Sequence, residues 1–372
     1  MKKVILVDIV PSGTKPEELE GRMAELENLV ATYGSVVVLK RVQKRDTPDY
    51  HTFVGSGKIE EVMREGEELG AELVIIGNIL KSNQIYHINE IFEKAKSKLK
   101  AWDRVDLILK IFELHATSPE ARLQIELAAI KHMGPRIFGM GLELSRQGGA
   151  GGGGGGGANR GLGETNTEIM KRHLRENEKR ITEKLHIYER TRAQHRQSRK
   201  RKDFKTIGIV GYTNSGKSSL MNALTRKGVL AENKLFATLG TSVGKMYLET
   251  PDFKGKEVLL NDTIGFIRDL PPNLIKAFSS TLEDSVESDF LLHVIDASDP
   301  KIIDKIEVVE NMLEKIGANQ FRINVFNKID LIDSPKIESL KKEFAHLNPI
   351  FISANKKLGF EELKARILEE II

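Results

Sequence analysis

The chain has 372 residues, 57 Lys and Arg against 53 Asp and Glu, and no cysteine. That length leaves room for two domains with cores of their own, and the lack of cysteine excludes a disulfide framework, thiolate chemistry and zinc–thiolate sites. No apolar run reaches membrane-spanning length. Val4-Ile-Leu-Val-Asp-Ile-Val10 is too short for a signal peptide and carries a charge, so a cytoplasmic protein is expected.

From the N-terminus, strand-like patterns over 3–10, 35–42 and 72–77 alternate with helix-like patterns over 16–33, 57–69, 81–97 and 103–115. This alternation predicts a small α/β domain with a largely parallel sheet. Gly55-Ser-Gly-Lys58 opens one of these helices; it lacks the spacing of a phosphate loop and reads as a tight turn into a helix.

Ser118-Pro119-Glu120 marks the next helix start. Leu123, Leu127 and Ile130 form one apolar stripe, and the helix is expected to run to about Met133. A Gly-rich stretch follows, in which residues 148–157 hold no fixed conformation by themselves. Thr165-Asn-Thr-Glu168 matches a capping box and opens a second long helix. The two helices predict an antiparallel hairpin. Residues 171–202 contain 13 Lys and Arg against 4 Glu, although the whole chain is only +4, so this segment points to a polyanion, RNA. Candidate RNA contacts are Lys171, Arg172 and Arg175, with Arg146 and Arg160 flanking the Gly-rich loop.

Beyond residue 204, five segments describe a nucleotide pocket. Thr206–Val210 reads as a buried strand and Ser219–Leu224 as a helix start, so Gly211-Tyr212-Thr213-Asn214-Ser215-Gly216-Lys217-Ser218 lies between strand and helix. The phosphate-loop pattern requires that context. Gly211 and Gly216 let backbone N–H groups wrap the phosphates, Lys217 reaches the β- and γ-phosphates, and the Ser218 hydroxyl holds Mg²⁺. Phe236 and Thr238 fall where a switch loop closes over the γ-phosphate, Thr238 completing the metal shell. Asp262 ends a second apolar run and can hold Mg²⁺ through water, and Gly265 offers an unhindered N–H to the γ-phosphate.

Asn327-Lys328-Ile329-Asp330 follows another strand-like run. A carboxylate at Asp330 accepts both the ring N–H and the exocyclic amine of guanine, a donor pair that adenine lacks. Asn327 ties this segment to the phosphate loop, the Lys328 stem covers a base face, and Ser353-Ala354 supplies an N–H to the guanine oxygen. The catalytic set is Lys217, Thr238 and Gly265, with GTP and GDP as ligands. Many GTPases place a water-orienting Gln after Asp-x-x-Gly. Here that residue is Phe266, which predicts slow intrinsic hydrolysis and help from a partner.

With these residues in hand, the chain resembles the HflX family of GTPases over essentially its whole length. Leu144-Ser-Arg-Gln-Gly-Gly149, Arg160-Gly-Leu-Gly-Glu164, Leu235-Phe-Ala-Thr-Leu239, Thr263-Ile-Gly-Phe-Ile-Arg268 and Leu292-His-Val-Ile-Asp296 carry the likeness. Phe53-Val-Gly-Ser-Gly-Lys58 and Arg122-Leu-Gln-Ile-Glu-Leu127 match the family's N-terminal part. The resemblance implies an N-terminal α/β domain with a helical hairpin, then a Ras-like P-loop G domain with a mostly parallel sheet. The expected divisions are 1–116, 117–203 and 204–372. It further implies binding to the large ribosomal subunit and its rRNA, GTPase stimulation by ribosomes, and ribosome splitting or rescue under stress. ATP binding by the N-terminal domain is another family property. The chain ends directly after the G domain, as expected of an archaeal-type member without the extra C-terminal domain. A nucleotide-gated RNA-binding module and an ATP-dependent RNA remodeller are the alternatives from other classes.

Overall fold

The computed structural model describes residues 1–147, 159–201, 204–225, 236, 242–249, 255–271, 274, 282 and 286–371, with backbone alone at 133, 135–147, 159–168, 170, 195–196, 199–201 and 242. The polyglycine stretch therefore lies outside the described residues. Two compact units emerge, Met1–Leu114 with Arg122–Leu185, and His115–Ala121 with His186–Ile372.

In the first unit, β1 (Lys3–Val10) is buried along nearly its whole length, as its unbroken apolar run predicts for a central parallel strand. It pairs in parallel with β2 (Val36–Lys44) and β3 (Leu73–Ile76), and β4 (Lys100–Asp103) closes the order β2-β1-β3-β4. The helices α1 (Pro16–Thr32), α2 (Ser56–Leu69), α3 (Ser82–Lys94) and α4 (Arg104–His115) match the expected positions to within a few residues. Ile5, Val7 and Ile9 share one face of β1 and pack with Ile59 and Val62 of α2 and Ile85, Ile88 and Phe92 of α3. Asp8 is fully buried because Arg22 grips both its carboxylate oxygens, at 2.9 and 3.0 Å.

Nothing in the local pattern marks β4. Its short, mixed sequence becomes a strand because the Asn89 side chain bonds both the N–H and the C=O of Ala101, holding this edge against β3. At its end, Asp103 and Asp106 cap α4 reciprocally, and His132 lies 3.3 and 3.4 Å from their carboxylates.

The hairpin helices are α5 (Pro119–Gln147) and α6 (Asn159–Arg201). The Ser118 hydroxyl accepts the Ala121 N–H, the cap that the sequence implied. Ion pairs Lys131–Glu178 and Arg192–Glu120 join the helices in antiparallel order. Both helices are longer than expected. α5 continues through Gly134-Pro135, and α6 starts at Asn159, taking in Gly161 and Gly163. Extending an existing helix across poor formers adds one bond per residue fixed, except at Pro135, which has no N–H to donate, whereas ending one leaves orphan backbone groups. The buried face of α5 also differs from the expected Leu123, Leu127 and Ile130 stripe. Leu127 is buried, but Ala121, Gln124, Ile125 and Ala128 are buried beside it, again at helical spacing.

In the second unit a six-stranded sheet has the order β10-β9-β8-β5-β7-β6. These are β5 (Lys205–Val210), β6 (Ser242–Glu249), β7 (Gly255–Asp262), β8 (Phe290–Asp296), β9 (Arg322–Asn327) and β10 (Ile350–Phe351). All neighbours are parallel except β6, which runs antiparallel to β7 from Ser242↔Asp262 to Glu249↔Gly255. Helices α7 (Lys217–Leu224), α8 (Ile302–Ile316), α9 (Ser334–Glu343) and α10 (Phe360–Ile371) complete its described helices. One core joins Ile207, Ile209, Val258, Leu260, Leu292 and Val294 of the strands with Leu220 and Met221 of α7 and Leu363 and Ile367 of α10. A second joins Phe326 and Phe351 to Ile302 of α8 and to Leu340 of α9, with Phe344 just beyond it. The sheet thus has helices on both faces, and its strand ends open onto the loops that carry the motifs.

Candidate functional site

Four segments meet at the C-terminal ends of parallel strands: 211–216 after β5, 262–266 at the end of β7, 327–331 at the end of β9, and 353–354 after β10. In open α/β sheets this edge is where ligands bind.

The turn from β5 into α7 closes on Gly216, at φ +97°, where a side chain would be strained and its Cβ would strike the Asn327 amide. Lys217 begins α7, is buried, and donates from Nζ to the carbonyl of Tyr212 at 2.7 Å. The Ser218 hydroxyl donates to Asp262 Oδ2 at 2.7 Å, so a hydroxyl and a carboxylate converge beside the loop. Two hard oxygen donors of this kind suit Mg²⁺. Thr213 Oγ1 and Ser215 Oγ are buried without a hydrogen-bond partner among the described residues, as befits a loop built around a polar ligand. Asn214 is exposed at the loop's outer turn with φ 63°, and Ser219 is half-buried in the first turn of α7.

The segment after β7 folds back onto the loop. Phe266 N–H donates to Gly211 O at 3.1 Å, and Thr213 N–H donates to Phe266 O at 2.7 Å. A Cβ on Gly265 would lie 2.9 Å from Lys217 Nζ and 2.8 Å from Thr213 Cγ2, so only glycine lets this backbone sit against the ammonium. Phe266 is buried, an apolar ring where a water-orienting amide would stand.

At the other end, Asn327 uses both halves of its amide. Nδ2 donates to Ser215 O at 2.9 Å, and Oδ1 accepts the Ala354 N–H at 2.9 Å. One side chain therefore fixes the phosphate loop to the base-side loop. Lys328 has φ 67° and reaches Asp296 Oδ2 at 2.6 Å, which holds its stem across the site. The Ser353 hydroxyl donates to Asp330 Oδ1 at 2.6 Å, orienting that carboxylate. The Ala354 N–H, expected on the guanine oxygen, is engaged by Asn327, so contact with a base requires sharing or exchanging that hydrogen.

Asp296 is the residue that sequence reasoning left without a role. It ends β8 and accepts from Ser298 as well as Lys328. Its signal was an Asp at the C-terminal end of a central strand, the position that also marks Asp262. Phe236 is buried with φ 57°, whereas Thr238 lies outside the described residues. Arg146 and Arg160 lie in α5 and α6, where their side chains are not described. Arg172 and Arg175 are exposed on α6, and Lys171 is half-buried.

Burial pushes the Lys217 ammonium down from 10.5 to about 8, Asp262 opposing and Lys328 adding to the shift. Between those values the unfolded chain binds the extra proton, so the stability penalty for this lysine is full below about 8 and shrinks as the pH rises. Nucleotide binding has the opposite sign, because phosphate needs the charged ammonium. The affinity for GDP should fall by up to about tenfold per pH unit above about 8. Titration by fluorescent nucleotide from about pH 6.5 to about pH 9.5 checks this; a flat profile would remove Lys217 from the phosphate contact.

Comparison with known proteins covers nearly the whole chain. Residues 20–113 match the family described as GTP-binding GTPase N-terminal, and 115–199 its middle region. Residues 206–328 match the family described as 50S ribosome-binding GTPase. The GTPase HflX of Caldanaerobacter subterraneus is 41% identical over 371 residues, covering 100% of this chain and 81% of that protein. That of Methanocaldococcus jannaschii is 36% identical over 93% of this chain and 82% of its own. That of Escherichia coli is 35% identical over 96% of this chain and 80% of its own. Among solved structures, the complex of SsGBP with GDP superposes with a TM-score of 0.54 at 25% identity, covering 99% of this chain and 98% of that one.

Proposed function

Because the chain belongs to the HflX family of GTPases, we propose that this GTP hydrolase acts as a switch on the large ribosomal subunit, splitting or rescuing ribosomes under stress in the cytoplasm. The observation that carries the reading is the match of residues 206–328 to the 50S ribosome-binding GTPase family. The phosphate loop, Gly211 to Ser218 with Ser219 behind it, wraps the phosphates of GTP or GDP, and Lys217 and the Gly265 N–H take the γ-phosphate. Asp330 reads guanine, with the Lys328 stem over the ring, and Asn327, Ser353 and Ala354 set the loop that carries it.

Ser218 and Asp262, with Thr238, would hold Mg²⁺, which neutralises phosphate charge when bound. The rest of the chemistry is positioning. Lys217 and Gly265 address the oxygens on which negative charge gathers as the terminal phosphoryl departs. Phe266 offers attacking water nothing to bond, so a group from the partner must orient it.

The divisions 1–116, 117–203 and 204–372 give this switch a body, an arm and a motor. The exposed Arg172 and Arg175 support α6 as the arm that meets rRNA phosphate, with Lys171, Arg146 and Arg160 toward its tip. Cosedimentation with large subunits should be salt-dependent and stronger with a non-hydrolysable GTP analogue than with GDP. Equal binding in the two nucleotide states would leave no switch.

A further inference from the structure

Tyr212 has more contacts than a phosphate-loop spacer needs. Its ring is buried, and the Lys305 ammonium of α8 lies 4.9 Å from the ring centroid. Its hydroxyl accepts the backbone N–H of Arg268 at 3.0 Å. This bond extends the pairing already made by Phe266 N–H to Gly211 O and Thr213 N–H to Phe266 O. The Tyr212 carbonyl accepts the Lys217 ammonium. One residue therefore touches the lysine through its backbone and the segment beyond Gly265 through its side chain.

We propose that Tyr212 is a positioning residue for GTP hydrolysis, its hydroxyl clamping residues 266–268 onto the phosphate loop so that Gly265 stays beside the Lys217 ammonium. The inference deepens the reading above and rests on the assignment of Gly265 to the γ-phosphate. The backbone pairing at Phe266 is an isolated two-bond bridge that holds Gly265 from one side. The third bond, at Arg268, carries the pairing beyond Phe266 and away from the reacting group. GDP lacks the γ-phosphate, so the clamp acts on GTP alone.

The test compares Tyr212→Phe, Arg268→Ala and Gly265→Ala in the full chain. Affinities for GTP and GDP are read with fluorescent analogues, and kcat from single turnovers. Tyr212→Phe removes only the hydroxyl, so kcat and the preference for GTP over GDP should both fall, by factors whose product is about fivefold, the equilibrium worth of one ordinary hydrogen bond. Its GDP affinity should fall less than its GTP affinity, and a wild-type circular dichroism spectrum certifies the fold. Arg268→Ala retains the amide donor and should keep the wild-type preference. In the unaltered protein, the Arg268 amide should exchange slowly with deuterium. A wild-type GTP preference in Tyr212→Phe, an equal loss for GDP and GTP, a loss in Arg268→Ala as large as in Tyr212→Phe, or a rapidly exchanging Arg268 amide would each overturn the clamp. If Gly265→Ala lowers the preference and Tyr212→Phe does not, the clamp alone fails. If neither lowers it, the γ-phosphate assignment of Gly265 fails and takes the clamp with it.

Discussion

Replacing Asp330 by Asn should lower GTP affinity about 10⁴-fold and turn the pocket toward xanthosine triphosphate. Guanine presents two donors side by side, its ring N–H and its exocyclic amine. A carboxylate accepts both, whereas an amide can accept one and must set its own NH₂ against the other. Xanthine carries an oxygen where guanine carries the amine, so the amide fits it and the carboxylate does not. The exchange is also structurally mild. The Ser353 hydroxyl that donates to Asp330 Oδ1 can donate equally to the Asn oxygen, and Asn327 still ties the two loops together. Competition of both triphosphates against a fluorescent nucleotide checks the reversal. Undiminished GTP affinity in the variant would remove Asp330 from the base contact.

The second large effect concerns rate. Phe266 is buried against the phosphate loop, and its backbone rather than its side chain bonds the loop. A ring in that position can exclude water but cannot aim it. If Lys217 and the Gly265 N–H supply the charge stabilisation, as proposed, the protein alone should hydrolyse GTP slowly. A partner that supplies one well-placed acid–base or charged group should raise the rate about 10²- to 10⁴-fold. If rRNA is that partner, as proposed, electrostatic binding to it should weaken steeply with salt.

Much of this was legible in the sequence because the chemistry allows few residues at the decisive points. Lys217, Asp262, Asn327 and Asp330 each sit at a strand end or helix start that the neighbouring apolar runs already located. β1 was equally plain, since a strand buried on both faces needs an unbroken apolar run. What escaped depends on partners distant in the chain. β4 is a strand because of Asn89 and β3, and β6 because β7 lies antiparallel beside it. The roles of Asp296 and the Tyr212 hydroxyl appear only once Lys328 and Arg268 are brought against them. The limits of α5 and α6 were hidden for another reason. Gly134-Pro135, Gly161 and Gly163 are local stop signals, and the helices continue through them.

The switch reading is tested most directly by GTP turnover of the purified protein with and without large ribosomal subunits, at fixed magnesium and salt. The expected result is slow turnover alone and a rise of about 10²-fold or more with subunits, lost at high salt and transferred to xanthosine triphosphate in Asp330→Asn. The same rate with and without subunits, or fast turnover by the protein alone, would contradict it.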